Sequence, residues 1–385
     1  MSKDWEENIN SFSYKMYKKL RDMGEPHTNI FFGPSGIYTA LLMMYMGARG
    51  STADELRKLL ELPEHDTDEF HKQYAQMWGK LLVENNGTNG STLRVANRIW
   101  VKKNLSIHES YVAKIAEYYD AGVDSDVDFF NNTNGSREMI NKWIEDQTNG
   151  KIRNMIKETV LSPATNFLLT SAMYFLGEWK DVFEKQDTKM TPFYASDGEE
   201  LEVEMMYKKS LMGYEENLEY NCQVCVIPYK NSKLRMVIVC PKVTNGLPEL
   251  EQSLEKDNFS STMDWIGMQT NREVELYLPK FRIEQHLELA DELQALGVSR
   301  LFGHADMSRM TRTRDIVVNG VDHAAFIDCN EKGIEVAVVT TSGFVPTSMA
   351  VLREVRCDRP FMFIIADKQT ESIVFMGRVC RPTYQ

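Results

Sequence analysis

The amino-acid sequence predicts a single large α+β domain, on three observations. The first third of the chain carries apolar residues at helical spacing, whereas from Asn166 onward short strand-like runs dominate. No Pro/Gly/Ser stretch is long enough to separate two domains. Hydrophobic residues make up 43% of 385, enough to fill one sizeable core.

The elements follow in order. Residues 5–23 have the spacing of an amphipathic helix. Residues 36–49 (GIYTALLMMYMGAR) are apolar nearly all round, which predicts a buried helix. Ser51-Thr52-Ala53-Asp54-Glu55 reads as a helix start, with Ser51 or Thr52 as the cap and acids in the first turn. A further amphipathic helix runs over 68–84 and ends at the loop NNGTNGS. A strand is expected over 93–101 and a helix over 136–158. Then come the strands NFLLTSAMYF, QVCVIPY, LRMVIVC, EVELYLP, AAFIDC, IEVAVVTT, MFIIAD and SIVFMGRV, with helical stretches at 246–254 and 285–296 between them.

Composition excludes several functions. The net charge is −12, and basic residues never cluster beyond pairs such as Lys102-Lys103 and Lys208-Lys209. Nucleic-acid binding needs a basic footprint, so none is expected. No apolar run approaches the roughly 20 residues of a membrane-spanning helix. The first residues, MSKDWEENINSFSYKMYKKL, lack the apolar core and cleavage site of a secretory leader; the expectation is a cytoplasmic chain, or one exported by another route. Six Asn-x-Ser/Thr sequons, where roughly three would arise by chance, keep export open.

Cys222, Cys225, Cys240, Cys329, Cys357 and Cys380 lie mostly in strand-like runs, as small buried hydrophobes do. Cys222 and Cys225 form the one Cys-x-x-Cys, and nothing completes a zinc set, so neither metal nor cofactor is expected. The chain has no Walker loop, no Gly-x-Gly-x-x-Gly and no His-Glu-x-x-His; Gly33-Pro34-Ser35-Gly36 resembles a nucleophile elbow but has Ile37 where the last glycine belongs. No residue set recommends itself as catalytic, and an enzyme is not expected.

One segment stands apart: EKGIEVAVVTTSGFVPTSMAVLREVRCDRPF, from Glu331. Its first half is rich in strand formers, and its second breaks into Gly, Pro, Ser and alternating charge. Compact domains avoid loops this long unless they serve a function.

Several blocks together resemble the serpin family. They are Asn29-Ile30-Phe31-Phe32-Gly33-Pro34 leading into ALLMMYMGARGSTADEL, Ile140-Asn141-Lys142-Trp143-Ile144 with Thr148-Asn149-Gly150-Lys151-Ile152, and SAMYFLGEWKDVF. LPKFRIE, Ala305-Asp306-Met307-Ser308, Glu331-Lys332-Gly333, Arg359-Pro360-Phe361 and Phe375-Met376-Gly377-Arg378-Val379 complete the set in order along the chain. The resemblance implies one domain over 1–385, with three β-sheets, eight or nine helices and an exposed reactive-centre loop at about 332–358. It implies a monomer that a serine protease attacks as substrate and that traps the enzyme when the cut loop enters the main sheet.

The same resemblance assigns residues. Glu331, Gly333, Ile334, Glu335, Val336, Ala337, Val338, Val339 and Thr340 match the loop hinge. Strand alternation puts Ile334, Val336, Val338 and Thr340 inward after insertion, with no charge or proline among them. Ile334 and Val336 are bulkier than the Thr and Ala common in inhibitory members, which leaves a non-inhibitory binding, carrier or storage role as the alternative. His323 matches the family's shutter histidine, but Gly33, Gly36 and Ser171 stand where serines and an asparagine are usual; the expected hydrogen-bond network is therefore broken, with Ser35 or water as substitute. Counting forward from Glu331 places the reactive bond at Thr347-Ser348, and counting back from Pro360 places it at Met349-Ala350. Thr347 suits an elastase-like protease, and Met349 or Phe344 a chymotrypsin-like one; a trypsin-like enzyme would need Arg353. No heparin site is expected, because residues 69–84 carry only Lys72 and Lys80.

Overall fold

The apolar stretch read as a buried helix becomes one, and the rest of the fold is arranged round it. The computed structural model describes residues 3–64, 68–85, 90–256, 259–268, 270–313, 316–332 and 353–384. The expected strand IEVAVVTT falls outside these.

Helix α1 (Lys3–Met23) turns Ile9, Phe12, Met16 and Leu20 into the core and stops at Gly24. A short strand, β1 (Ile30–Phe32), leads into α2 (Pro34–Gly47), in which every residue is buried. Pro34 opens α2 where its missing N–H costs nothing. Helix α3 (Gly50–Leu59) begins one residue before the expected caps and has no side-chain cap. The Thr52 hydroxyl is used elsewhere, accepting the Asp306 N–H at 3.0 Å. Helix α4 (Asp68–Glu84) and strand β2 (Ser91–Lys102) lie where expected.

Helix α5 (Glu109–Tyr119) and strand β3 (Gly122–Val127) were not anticipated. Helix α6 (Thr133–Gln147) is capped by Asn132, whose side chain accepts the Gly135 N–H at 3.1 Å. It ends well short of residue 158, because Asn149 (φ 50°) and Gly150 (φ 71°) both take the left-handed conformation. The chain then returns beneath α6, tied to it by Asn141, which bonds both the N–H and the C=O of Ile156 at 2.8 and 3.0 Å.

The strand-rich part comprises β4 (Phe167–Gly177), β5 (Lys189–Tyr194), β6 (Glu200–Asn217), β7 (Cys222–Pro228) and β8 (Leu234–Pro241). Helices α7 (Leu247–Lys256) and α8 (Ser260–Gly267) precede β9 (Asn271–Pro279) and β10 (Phe281–Glu288). Helix α9 (Ala290–Ala295) is followed by β11 (Val318–Cys329), β12 (Arg353–Arg356), β13 (Phe361–Asp367) and β14 (Ile373–Val379). The helix expected over 285–296 is thus one-third strand: residues 285–288 pair with β11, and only α9 is helical. Nine α-helices occur among the described residues.

Two hydrogen-bonded sheets arise from these strands. One has five strands in the order β10-β11-β4-β2-β3; the other has nine. Two of the three expected sheets are continuous here, because the 18-residue β6 pairs with β5 and β9 along most of its length and passes to β7 at Gly213. At the centre of the five-stranded sheet, β4 and β11 are parallel neighbours over nine register pairs, from Val318↔Phe167 to Ile327↔Phe175. One face of that pair joins the main core through Leu169, Met173, Val321 and Ala325; the other packs Leu168, Ala172, Ala324 and Phe326 under Ile140 and Ile144 of α6.

Candidate functional site

The segment from Glu331 onward leaves the top of β11, and its described root is firmly held. The Trp179 indole N–H donates to the Asn330 carbonyl at 2.8 Å, and the Phe183 N–H donates to the Glu331 carbonyl at 3.0 Å. The buried Glu331 carboxylate accepts the Thr188 hydroxyl at 3.1 Å and faces Lys280 Nζ at 3.5 Å. Burial opposes the charge on Lys280, but Glu204 at 3.2 Å and Glu331 outweigh it and hold the ammonium above the usual lysine pKa. Beneath lies Lys208, its Nζ over the Phe183 ring at 4.4 Å and donating to the Asp181 carbonyl at 2.9 Å. Burial brings its pKa down to about 8.

From Arg353, β12 joins the larger sheet as an edge strand parallel to β9. The Arg356 guanidinium lies 3.8 Å from the Tyr277 ring centroid, and the Cys357 N–H donates to the Tyr277 carbonyl at 2.9 Å. Residues 330–332 and 353–357 are therefore both anchored in ordered structure. Gly333, Ile334, Glu335, Val336, Ala337, Val338, Val339, Thr340 and both candidate bonds, Thr347-Ser348 and Met349-Ala350, lie outside the described residues.

The structure does bring His323, Ser171, Gly33 and Gly36 together, but not as expected. His323 stands directly across from Ser171 in the β11–β4 register. Its Nε2 accepts the Gly33 backbone N–H at 2.9 Å, so its proton sits on Nδ1, which donates to Ser171 Oγ at 3.2 Å. Burial lowers the imidazole pKa to about 3 and keeps the ring neutral. The network is thus intact, with a backbone amide replacing a hydroxyl. Ser35 is not the substitute: its Oγ donates to the Val374 carbonyl at 3.1 Å.

Met173 fills the space a pair of serine side chains would take. A Cβ added at Gly33 would lie 2.4 Å from Met173 Sδ, and one at Gly36 only 2.2 Å. Asn97 of β2 extends the row, pairing with Ser171 and donating to the Gly36 carbonyl at 3.3 Å. Neither Met173 nor Asn97 was singled out from sequence. Strand alternation from Ser171 would have put Met173 on the same face, and a lone Asn inside a strand-like run was a second signal.

Three comparisons bear on this arrangement. The profile of the family described as Serpin (serine protease inhibitor) matches residues 7–382. The chain belongs to the serpin family. Human Serpin B3 is 34% identical, over 96% of this chain and 97% of its own length. The leukocyte elastase inhibitor of Xenopus tropicalis is 31% identical, over 98% of this chain and 100% of its own. Among solved structures, human thyroxine-binding globulin complexed with thyroxine superposes with a TM-score of 0.87 at 25% identity, covering 100% of both chains. In this serpin all six cysteines are free and buried, and among the described residues no helix is long and apolar enough to cross a membrane.

Proposed function

We propose that this serpin is a suicide-substrate inhibitor of a serine protease, cut at Thr347-Ser348, with Met349-Ala350 as the second choice. One observation carries the reading: β4 and β11 are parallel neighbours, and the loop begins at the top of β11. A segment that turns back from Lys332 runs antiparallel to β11, and hence to β4 as well. Entering between them, it exchanges one parallel ladder for two antiparallel ones, the slightly stronger pairing. Fifteen inserted residues at about 3.3 Å each carry the bound enzyme about 50 Å, close to the width of a compact body of this length. The Glu331 root and the His323 row act as hinge and shutter, because strands on either side of both must part.

Elastase- or chymotrypsin-like enzymes are the favoured targets, since Thr347 and Met349 are uncharged. The buried free thiols suit a reducing compartment. Incubation with a panel of serine proteases, followed by denaturing gels, tests the reading. A covalent adduct whose released C-terminal fragment begins at Ser348 supports it. Clean cleavage across 343–349 by every enzyme, with no adduct, overturns it.

A second reading, a non-inhibitory carrier, is favoured by the branched residues Ile334 and Val336, which would overpack an opening sheet and slow insertion. The likeness to thyroxine-binding globulin is compatible with it.

A further inference from the structure

Among the described residues, Lys208 of β6 is a buried cation that makes no ion pair; it is 7% exposed. Of the three N–H groups of an ammonium, one donates to the Asp181 carbonyl at 2.9 Å. The charge otherwise meets aromatic faces, with Nζ 4.4 Å from the Phe183 centroid and 5.6 Å from that of Trp179. Leu276 of β9 stands opposite on the sheet. The titratable groups around it are Cys225 of β7, Cys329 at the end of β11 and the exposed Asp181. Burial raises both thiol pKa values, Cys225 to about 12, so neither offsets the charge near neutral pH.

The rings and the carbonyl that hold Lys208 belong to the bend 178–183, which closes the top of the β4–β11 pair. Strand β4 ends at Gly177 and β11 at Cys329. Beyond them the bend grips residues 330–332 by three hydrogen bonds. The Trp179 indole N–H donates to the Asn330 carbonyl at 2.8 Å, the Trp179 backbone N–H to Lys332 at 3.4 Å, and the Phe183 N–H to Glu331 at 3.0 Å. On its other side the bend is tied to the end of β7. The Lys180 N–H donates to the Pro228 carbonyl at 3.1 Å, and the Trp179 and Tyr229 rings stack at 4.7 Å. Parting β4 from β11 therefore means drawing 330–332 away from the bend, which opens the Cys329 side of Lys208 to water.

We propose that Lys208 is a positioning residue for the loop root: its buried charge strains the clamp between the bend and residues 330–332 and sets how readily the two part. A buried ammonium without a carboxylate is costlier than a hydrated one. The closed clamp thus holds its proton less tightly than the open one, with a pKa of about 8 against 10.5 for an ordinary lysine. Between those values the open form binds more protons, so raising the pH favours the closed clamp and lowering it favours opening. The consequence for protease trapping rests on the insertion reading, but the clamp itself is measurable without a protease.

Hydrogen exchange at the Trp179 and Phe183 backbone N–H groups of the full-length protein, corrected for intrinsic rates, tests it. Protection in the parent should rise about tenfold between pH 7 and pH 9. Lys208→Met should lack that rise and be at least tenfold better protected at pH 7. Asp322, which titrates near pH 7, is common to both proteins and cancels in their ratio. Lys208→Arg, charged throughout, should stay poorly protected at pH 9; the parent profile needs no variant and decides the matter if either substitution misfolds. With a protease that cleaves within 343–349, Lys208→Met should give more cleaved product per covalent adduct than the parent on denaturing gels. Exchange results as expected, with no adduct from the parent, support the clamp and count against the inhibitor reading alone. Protection that ignores pH and is identical in parent and Lys208→Met overturns the proposal even if the variant melts higher, because the charge would then bear only on global unfolding.

Discussion

Met173 and the two glycines of the His323 row should behave as one packing unit, and a double-mutant cycle between Gly36 and Met173 exposes it. Met173 is fully buried, and a Cβ at position 36 would lie 2.2 Å from its Sδ and 2.9 Å from its Cγ. Met173→Ala empties that volume and should cost about 2–5 kcal/mol. Gly36→Ala relieves glycine's backbone entropy in α2, worth about 0.5–1 kcal/mol, but forces the thioether aside at about 1–3 kcal/mol. The balance is a net loss of up to about 2.5 kcal/mol. In the double variant the new methyl occupies part of the vacated space, so the overpacking term disappears and the cavity term shrinks. The pair should then cost less than the sum of the single variants by about 1–3 kcal/mol. Urea unfolding followed by tryptophan fluorescence measures all four corners. Additivity within about 0.5 kcal/mol would refute the claim that Met173 occupies the serine space.

Three further outcomes are expected. Burial, aided by Glu288 and opposed by Lys157, raises the Asp322 pKa from 3.8 to about 7; the folded state holds a proton the unfolded chain has lost, so stability present below about pH 4 drains away as pH rises through 7, by about 4 kcal/mol in all. Asp322→Asn should therefore melt higher than the parent at pH 8 and alike near pH 4, with the His323 contribution cancelling in the difference; a variant no more stable at pH 8 refutes this. Val336→Arg should turn an inhibitor into a substrate, because a buried unpaired charge costs several kcal/mol; trapping at full stoichiometry would contradict the inward assignment. Cleavage within 343–349 should raise the melting temperature sharply as the freed strand completes the sheet, and an unchanged value in calorimetry would favour the carrier reading.

What could be read from sequence followed how each segment is buried. Helix α2 and strands β4, β8, β13 and β14 are buried along nearly their whole length, so they appear as unbroken apolar runs. Strand β10 sits at a sheet edge with a mixed burial pattern, and its polar residues blended into the helical pattern of α9. The end of α6 depended on backbone conformation at Asn149, which its residue type permits but does not announce.

The His323 row shows the same limit at the site itself. Side-chain bookkeeping counts Gly33 and Gly36 as lost hydroxyls and so expects a broken network. Backbone donors carry no letter of their own. The Gly33 N–H supplies the bond a serine would have given, from a position where no side chain stands in the way. Removing two side chains then demands a filler, and Met173, unbranched and adaptable, reaches across from β4 to provide it. The two glycines and the methionine form one compensated exchange: polar contact moves to the main chain and volume moves to the opposite strand. The neutral imidazole stays satisfied on both nitrogens, and the row ties the start of α2 to the parallel strand pair β4–β11.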